Sequence, residues 1–185
     1  MRIINLFIIC IFFFTGCEVE FKSLYPAYPP GDIKLIRLTP ANHGGAYNGD
    51  YLLLFRSENR KNTRFGGFLI FINTTEASVL QMNTEVTAAY KLGRAAVPTE
   101  DPSIYNPTTD PGGIDVQIPV LFTDNPANAG DIITVNSVNY TLKKVLPKTS
   151  IISGSWLTMR AYLWESSTSS IIQISEPGNP VQIEL

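Results

Sequence analysis

The chain has 185 residues, of which 44% are hydrophobic, 11% aromatic and only 16% charged, against about 25% charged in an average soluble protein. That composition excludes a disordered chain and a coiled coil, and a formal net charge of −2 excludes a polybasic nucleic-acid binder. Thirteen prolines and thirteen glycines punctuate the chain, which suits one domain of many short strands better than long helices.

The N-terminus reads Met1-Arg-Ile-Ile-Asn-Leu-Phe-Ile-Ile-Cys-Ile-Phe-Phe-Phe-Thr-Gly-Cys17. One basic residue, Arg2, precedes an apolar run from Ile3 to Phe14 broken only by Asn5. A run of that length fits the core of a signal peptide, whereas a spanning helix needs about 20 residues. Phe14-Thr15-Gly16-Cys17 resembles the cleavage box of bacterial lipoproteins: an aliphatic residue, two small residues and a cysteine, with Phe14 where Leu is usual. The resemblance implies that residues 1–16 are removed and that Cys17 carries a diacylglyceryl group and an acylated amine. Each buried methylene adds about 0.8 kcal/mol, so two or three chains anchor stably. The alternative is an ordinary signal peptide cut elsewhere, with Cys17 a free thiol or lost.

The two cysteines are Cys10, inside the apolar core, and Cys17. With Cys10 removed and Cys17 lipidated, the body holds no thiol. It is then an exported domain without a disulfide, stable by its core alone. Loss of Arg2 takes the 14 basic side chains to 13 against 16 acidic, a net of −3, so attraction to anionic headgroups is not expected to contribute to the anchor.

Residues 17–31, with Pro26, Pro29 and Pro30 close together, read as an extended tether; a first edge strand is the alternative. Strand periods follow. Ile33–Leu38 half-alternates and stops at Pro40, while Tyr51–Phe55 and Phe68–Ile72 are continuous apolar runs of strands covered on both faces. A capping box at Asn73-Thr74-Thr75-Glu76, followed by Val79, Met82, Val86 and Tyr90 at helical spacing, predicts a helix over about 75–91, ended by Gly93. Residues 94–113 read as loop. Ile114–Phe122 alternates around Pro119, which marks an edge or bulged strand. Ile132–Val135 and Tyr140–Val145 suggest a hairpin across Asn136–Asn139. Trp156–Trp164, Ile171–Ser175 and Val181–Leu185 complete the set.

Several of these stretches resemble a fibronectin type III domain. Gly67-Phe68-Leu69-Ile70-Phe71 is similar to that family's third strand, and Leu146-Pro147-Lys148-Thr149 to its Leu-x-Pro-x-Thr turn, contracted by one residue. Leu157–Tyr162 resembles its sixth strand, ending in Arg-Ala-Tyr, and Ser175–Val181 its final-strand pattern. Ser155 stands where the family carries its corner tyrosine. The resemblance implies a cysteine-free immunoglobulin-like or fibronectin type III-like β-sandwich over 32–185, with an insertion over about 74–139. It implies a scaffold only, since such scaffolds host many functions.

Candidate chemistry is sparse. His43 is the only histidine; a general base or metal ligand needs partners that its neighbourhood of turn formers does not offer. No Gly-x-Ser-x-Gly, P-loop or Gly-x-Gly-x-x-Gly occurs. Glu100, Asp101, Asp110 and Asp115 fall short of a calcium loop, so 99–115 reads as solvated chain. No cofactor, metal or nucleic-acid partner is expected, and no enzymatic activity.

The aromatic stripe of the seventh predicted strand carries more. If Leu157, Met159, Ala161 and Leu163 face the core, Trp156, Thr158, Arg160, Tyr162 and Trp164 share the opposite face. Trp, Tyr and Arg are residues that binding surfaces favour, so Trp156, Arg160, Tyr162 and Trp164 are a candidate binding patch, alongside loops 41–49 and 94–113. The competing expectation is that the insertion and its helix bury this face, for which the two-sided apolar Phe68–Ile72 run argues. Together these observations suggest a lipoprotein of the bacterial cell envelope, held at the outer membrane or surface through the lipid on Cys17. It would act as a non-enzymatic binding or structural module toward a protein or glycan partner. Carbohydrate binding or hydrolysis is the alternative; hydrolysis would need two carboxylates about 5–10 Å apart.

Overall fold

The structure, a computed structural model, describes residues 26–57, 59, 62, 64–93 and 117–184. Eleven strands are described. In chain order they are β1 (Gly31–Arg37), β2 (Tyr51–Arg56), β3 (Phe65–Asn73), β4 (Tyr90–Leu92), β5 (Gln117–Phe122), β6 (Ile132–Val135), β7 (Val138–Thr141), β8 (Lys144–Leu146), β9 (Trp156–Glu165), β10 (Ser170–Ile174) and β11 (Val181–Gln182). One helix, α1 (Glu76–Gln81), lies between β3 and β4.

The strands form two main sheets. One has the order β1-β2-β5-β8, and the other β10-β9-β3-β4. The short β11 shares with β10 the edge of β9 opposite β3. Tyr51, Leu53 and Phe55 of β2 and Ile118, Val120 and Phe122 of β5 meet Phe68 and Ile70 of β3 and Leu157, Met159, Ala161 and Leu163 of β9 in one buried cluster. Phe55 packs edge-on to Phe68, ring centres 4.8 Å apart, the favoured geometry for aromatic pairs.

Both sheets are also covered on their outer faces, as the continuous apolar runs require. Leu52, Leu54 and Leu121 of the first sheet pack under Ile133, Val135 and Leu142, from the β6–β7 hairpin and the residue after it. Leu69, Phe71, Tyr162 and Trp164 of the second pack under Val79 of α1, with Leu80, Met82 and Ala88 beside it. Burying a large apolar side chain stabilises by about 1.5–3 kcal/mol, so three bare leucines would forfeit a sum comparable to a domain's whole stability.

Several expectations need correction. The helix is six residues, not seventeen. Thr75 caps it by accepting from the Ser78 amide, so the cap sits two residues beyond Asn73, whose side chain accepts from Thr74 N instead. The spacing Val79, Met82, Val86, Tyr90 misleads. Val86 is 95% exposed, in a 3-10 turn over Glu85–Thr87, and Tyr90 begins β4.

Strand β5 is not an edge strand, because it pairs with β2 on one side and, in parallel, with β8 on the other. Pro119 is tolerated because its C=O points to the β8 side, where it accepts from Lys143 N at 2.9 Å. Its missing N–H points the same way, just before the three-residue β8 begins, so no bond to β2 is lost. Residues 74–139, the expected insertion, contribute β4 and β5 to the two main sheets; among the described residues the α1 segment and the β6–β7 hairpin lie outside those sheets. That hairpin turns through two residues, Asn136 and Ser137, at φ +49° and +65°, the condition of the tightest hairpin turns. The expected tether over 17–31 does not reach that far, since Ala27 is buried in the main core and Tyr28 exchanges two hydrogen bonds with the Asn59 side chain. Residues 17–25 and the expected loop at 94–113 lie outside the described residues.

Gly66 and Gly67 shape the start of β3, where the register with β9 shifts. The Tyr162 ring lies against Gly66, and Gly67 sits at φ +139° with the Leu92 carbonyl against the place where a Cβ would stand. Gly67→Ala is therefore expected to cost about 1–3 kcal/mol, because strain and overlap add. Urea denaturation checks this; an unchanged midpoint would refute the close β3–β4 approach as a constraint.

Candidate functional site

Strand β9 is buried along almost its whole length. Its alternate side chains divide as expected, with Leu157, Met159, Ala161 and Leu163 in the inter-sheet core and the Trp156, Tyr162 and Trp164 rings on the outer face. That outer face is covered. Tyr162 is fully buried, Arg160 is 7% and Trp164 8% exposed, and only Trp156 is half-buried. The candidate patch Trp156, Arg160, Tyr162, Trp164 is therefore not an open binding surface in this conformation. The physical reason is the one that the Phe68–Ile72 run suggested: a face this apolar needs a cover, and the α1 segment supplies it.

Arg160 is the polar centre of that cover. Its Nε donates to Met82 O at 2.8 Å and Nη2 to Leu80 O at 2.7 Å, while Nη1 donates to Ser175 O at 2.7 Å. The guanidinium thus joins the end of α1 to the C-terminal segment beyond β10. Burial lowers its pKa from the ordinary arginine value, and the Glu176 carboxylate raises it back in part. Arginine remains a cation even so. Nearby, Lys91 pairs with Glu85 at 2.7 Å and lies 4.9 Å from the centre of the Trp164 ring and 5.5 Å from that of Tyr162, within cation–π range.

A second polar cluster organises one end of the domain. Asp50, 2% exposed, accepts from Lys148 Nζ at 2.8 Å on Oδ1, and from Thr123 Oγ1 and Asn125 Nδ2 on Oδ2. Lys148 Nζ also donates to Gly49 O, and its amide to Asp124 Oδ1. One carboxylate so ties the β1–β2 loop to the segments after β5 and β8. Sequence reasoning missed it. Its members lie 73–98 residues apart, and no local pattern marks residues that meet only through the sheet order.

His43 lies at this end too. Its Nδ1 is 2.8 Å from Thr134 O, and since a carbonyl can only accept, Nδ1 carries the proton. Nε2 is buried without a hydrogen-bond partner, against Gly45, where an added Cβ would stand 2.7 Å from it. With one nitrogen spent and the other enclosed, the imidazole serves to fasten loop 38–50 to the β6–β7 hairpin, a task shared by Asn136 N donating to Asn42 O at 2.9 Å. Loop 41–49 is accordingly a braced surface.

Among the described residues no group of three His, Cys, Asp or Glu could hold a metal ion, and no helix is long and apolar enough to cross a membrane. Cys17 and residues 99–115 lie outside the described residues. No protein-family model matches the chain, and no curated protein or solved structure matches it.

The Asp50 cluster predicts an asymmetry. Asp50→Ala strands two donors and an ammonium, at a cost of about 2–4 kcal/mol. Lys148→Met removes a partner that is one-third exposed and leaves the carboxylate its two neutral donors, so it costs less, about 1–2 kcal/mol. Thermal unfolding of both variants decides; equal losses would mean that the ion pair, not the buried carboxylate, organises this end.

Proposed function

We propose that the protein is an exported lipoprotein, anchored in the bacterial cell envelope through a lipid on Cys17, at the outer membrane or surface. It presents an immunoglobulin-like, fibronectin type III-like β-sandwich that works by contact with another macromolecule, not by catalysis. The scaffold assignment draws support from which strands share a sheet. In immunoglobulin-type sandwiches the first, second and fifth strands lie in one sheet and the third, sixth and seventh in the other. Here β1, β2 and β5 share one sheet, and β3, β9 and the C-terminal strands the other.

The observation that carries the functional reading is the polarity of the domain. The chain enters at Gly31, which pairs with Arg56. At the other end of the same sheet, Arg37 pairs with Tyr51, Tyr51 with Phe122, and Phe122 with Leu146. Tyr90 of the second sheet reaches that end as well, its hydroxyl donating to Pro147 O at 2.7 Å. The braced loop 38–50 and residues 147–155 therefore cluster away from the N-terminal entry. With nine residues from Cys17 to Tyr25, which span at most about 30 Å, a lipid anchor would leave this far end pointing outward. Its braced loops expose Ile152, as a preformed contact surface would.

Fractionation and protease shaving of intact cells test this. The wild-type protein should sediment with membranes and be digested from outside, and a Cys17→Ala strain should release it to the soluble fraction. A Cys17→Ala protein that stays equally membrane-bound would overturn the anchor, and full protection in intact cells would overturn outward presentation.

A further inference from the structure

Residues 74–89, between β3 and β4, cover the aromatic outer face of the second sheet with little of their own to hold them there. Val79 is the segment's one fully buried side chain; Glu76, Ala77, Gln81 and all of 83–87 are exposed. A six-residue helix does not persist by itself, since nucleation outweighs so few bonds. Among the described residues, the backbone bond from this segment to a neighbouring strand is at its last residue, Ala89 N to Ile70 O at 2.8 Å. Side chains supply further polar ties: Arg160 to Leu80 O and Met82 O, Asn73 to Met82 Sδ, and Lys91 to Glu85. Beneath lie both of the chain's tryptophans, Trp156 and Trp164, with Tyr162 between them.

We propose that residues 74–89 form a strap that opens as a unit while both sheets stay folded, with Arg160 as its fastening, uncovering the Trp156–Tyr162–Trp164 face. The sheets beneath keep their ladders when the strap lifts, because β3 pairs with β9 over Phe65–Asn73 without using it. Segments with few buried contacts and exposed backbone bonds are those that open locally. Arg160 is suited to the fastening because its planar fork reaches two strap carbonyls at once while holding Ser175 O; a lysine ammonium on a flexible stem cannot reproduce that geometry. The strap rests on this geometry alone and stands independently of the anchored-lipoprotein reading.

Hydrogen exchange on the full-length protein in detergent, with acrylamide quenching of its two tryptophans, tests the strap. In the wild-type chain the amides of 79–89 should exchange at least about a hundredfold faster than those of 68–72 and 157–163. Arg160→Lys should speed the strap amides a further tenfold or more and raise tryptophan quenching, with strand protection and far-ultraviolet dichroism unchanged. Equal protection of strap and strands in the wild-type chain overturns the proposal. So does an Arg160→Lys chain whose strap protection is unchanged, or falls together with that of the strands. Should Arg160→Lys not fold, Val79→Ala loosens the same segment through its apolar contact, and the same comparison of strap with strands decides.

Discussion

Two-sided apolarity is the constraint on which the rest of this structure depends. Strands β2, β3 and β9 carry large hydrophobic side chains on both faces, so packing the two sheets together satisfies only half of each. Outer faces left bare would cost several kcal/mol, and they would invite association with other chains. The β6–β7 hairpin and the 74–89 segment answer that demand, one on each outer face. Neither is stable as an isolated element, since a lone hairpin is marginal in water and so is a six-residue helix; each persists because of what it covers.

Buried polar groups then fix how the covers and loops sit. Arg160 spends its donors on three backbone carbonyls, and Asp50 gathers three donors from distant segments. Unsatisfied, groups like these would be expensive; satisfied, they select one arrangement among the many that apolar contact alone would permit. His43 and Asn42 do the same for the β1–β2 loop and the hairpin turn. Such fastenings matter in a body that, on the lipoprotein reading, has no disulfide.

The edges are managed as well. The free edge of β9 is shared by β10 and β11, with Ser175 and Gly178 continuing the bonding between them, so Pro177 and Pro180 fall where a ladder bond is not required. A bulge between Ile171 and Gln173 interrupts the register of β10, a device that makes an edge strand a poor template for another chain. The far end is built of braced loops, which on the proposed reading would meet a partner.

Strand periods needed no tertiary information, because a side chain's face follows from its position along the strand. β1, β2, β3, β9 and β10 could be placed from alternation or from apolar runs, and the double burial of Phe68–Ile72 already argued that the Trp156–Trp164 face would be covered. Local chemistry went wrong where two periods compete. Val79, Met82, Val86 and Tyr90 match a helix on paper, but of these only Val79 and Met82 pack onto the sheet beneath the segment, while Val86 faces solvent and Tyr90 joins a strand. Pro119 marked an edge that the sheet did not have, because the cost of a missing N–H depends on which side it faces and whether a partner strand has begun there. The Asp50–Thr123–Asn125–Lys148 cluster and the Arg160 fastening left no trace in the sequence. Their members are brought together only by the order of strands in the sheets, and pairing across 15 to 98 residues is decided by the closing of the whole core, not by any local preference of the chain.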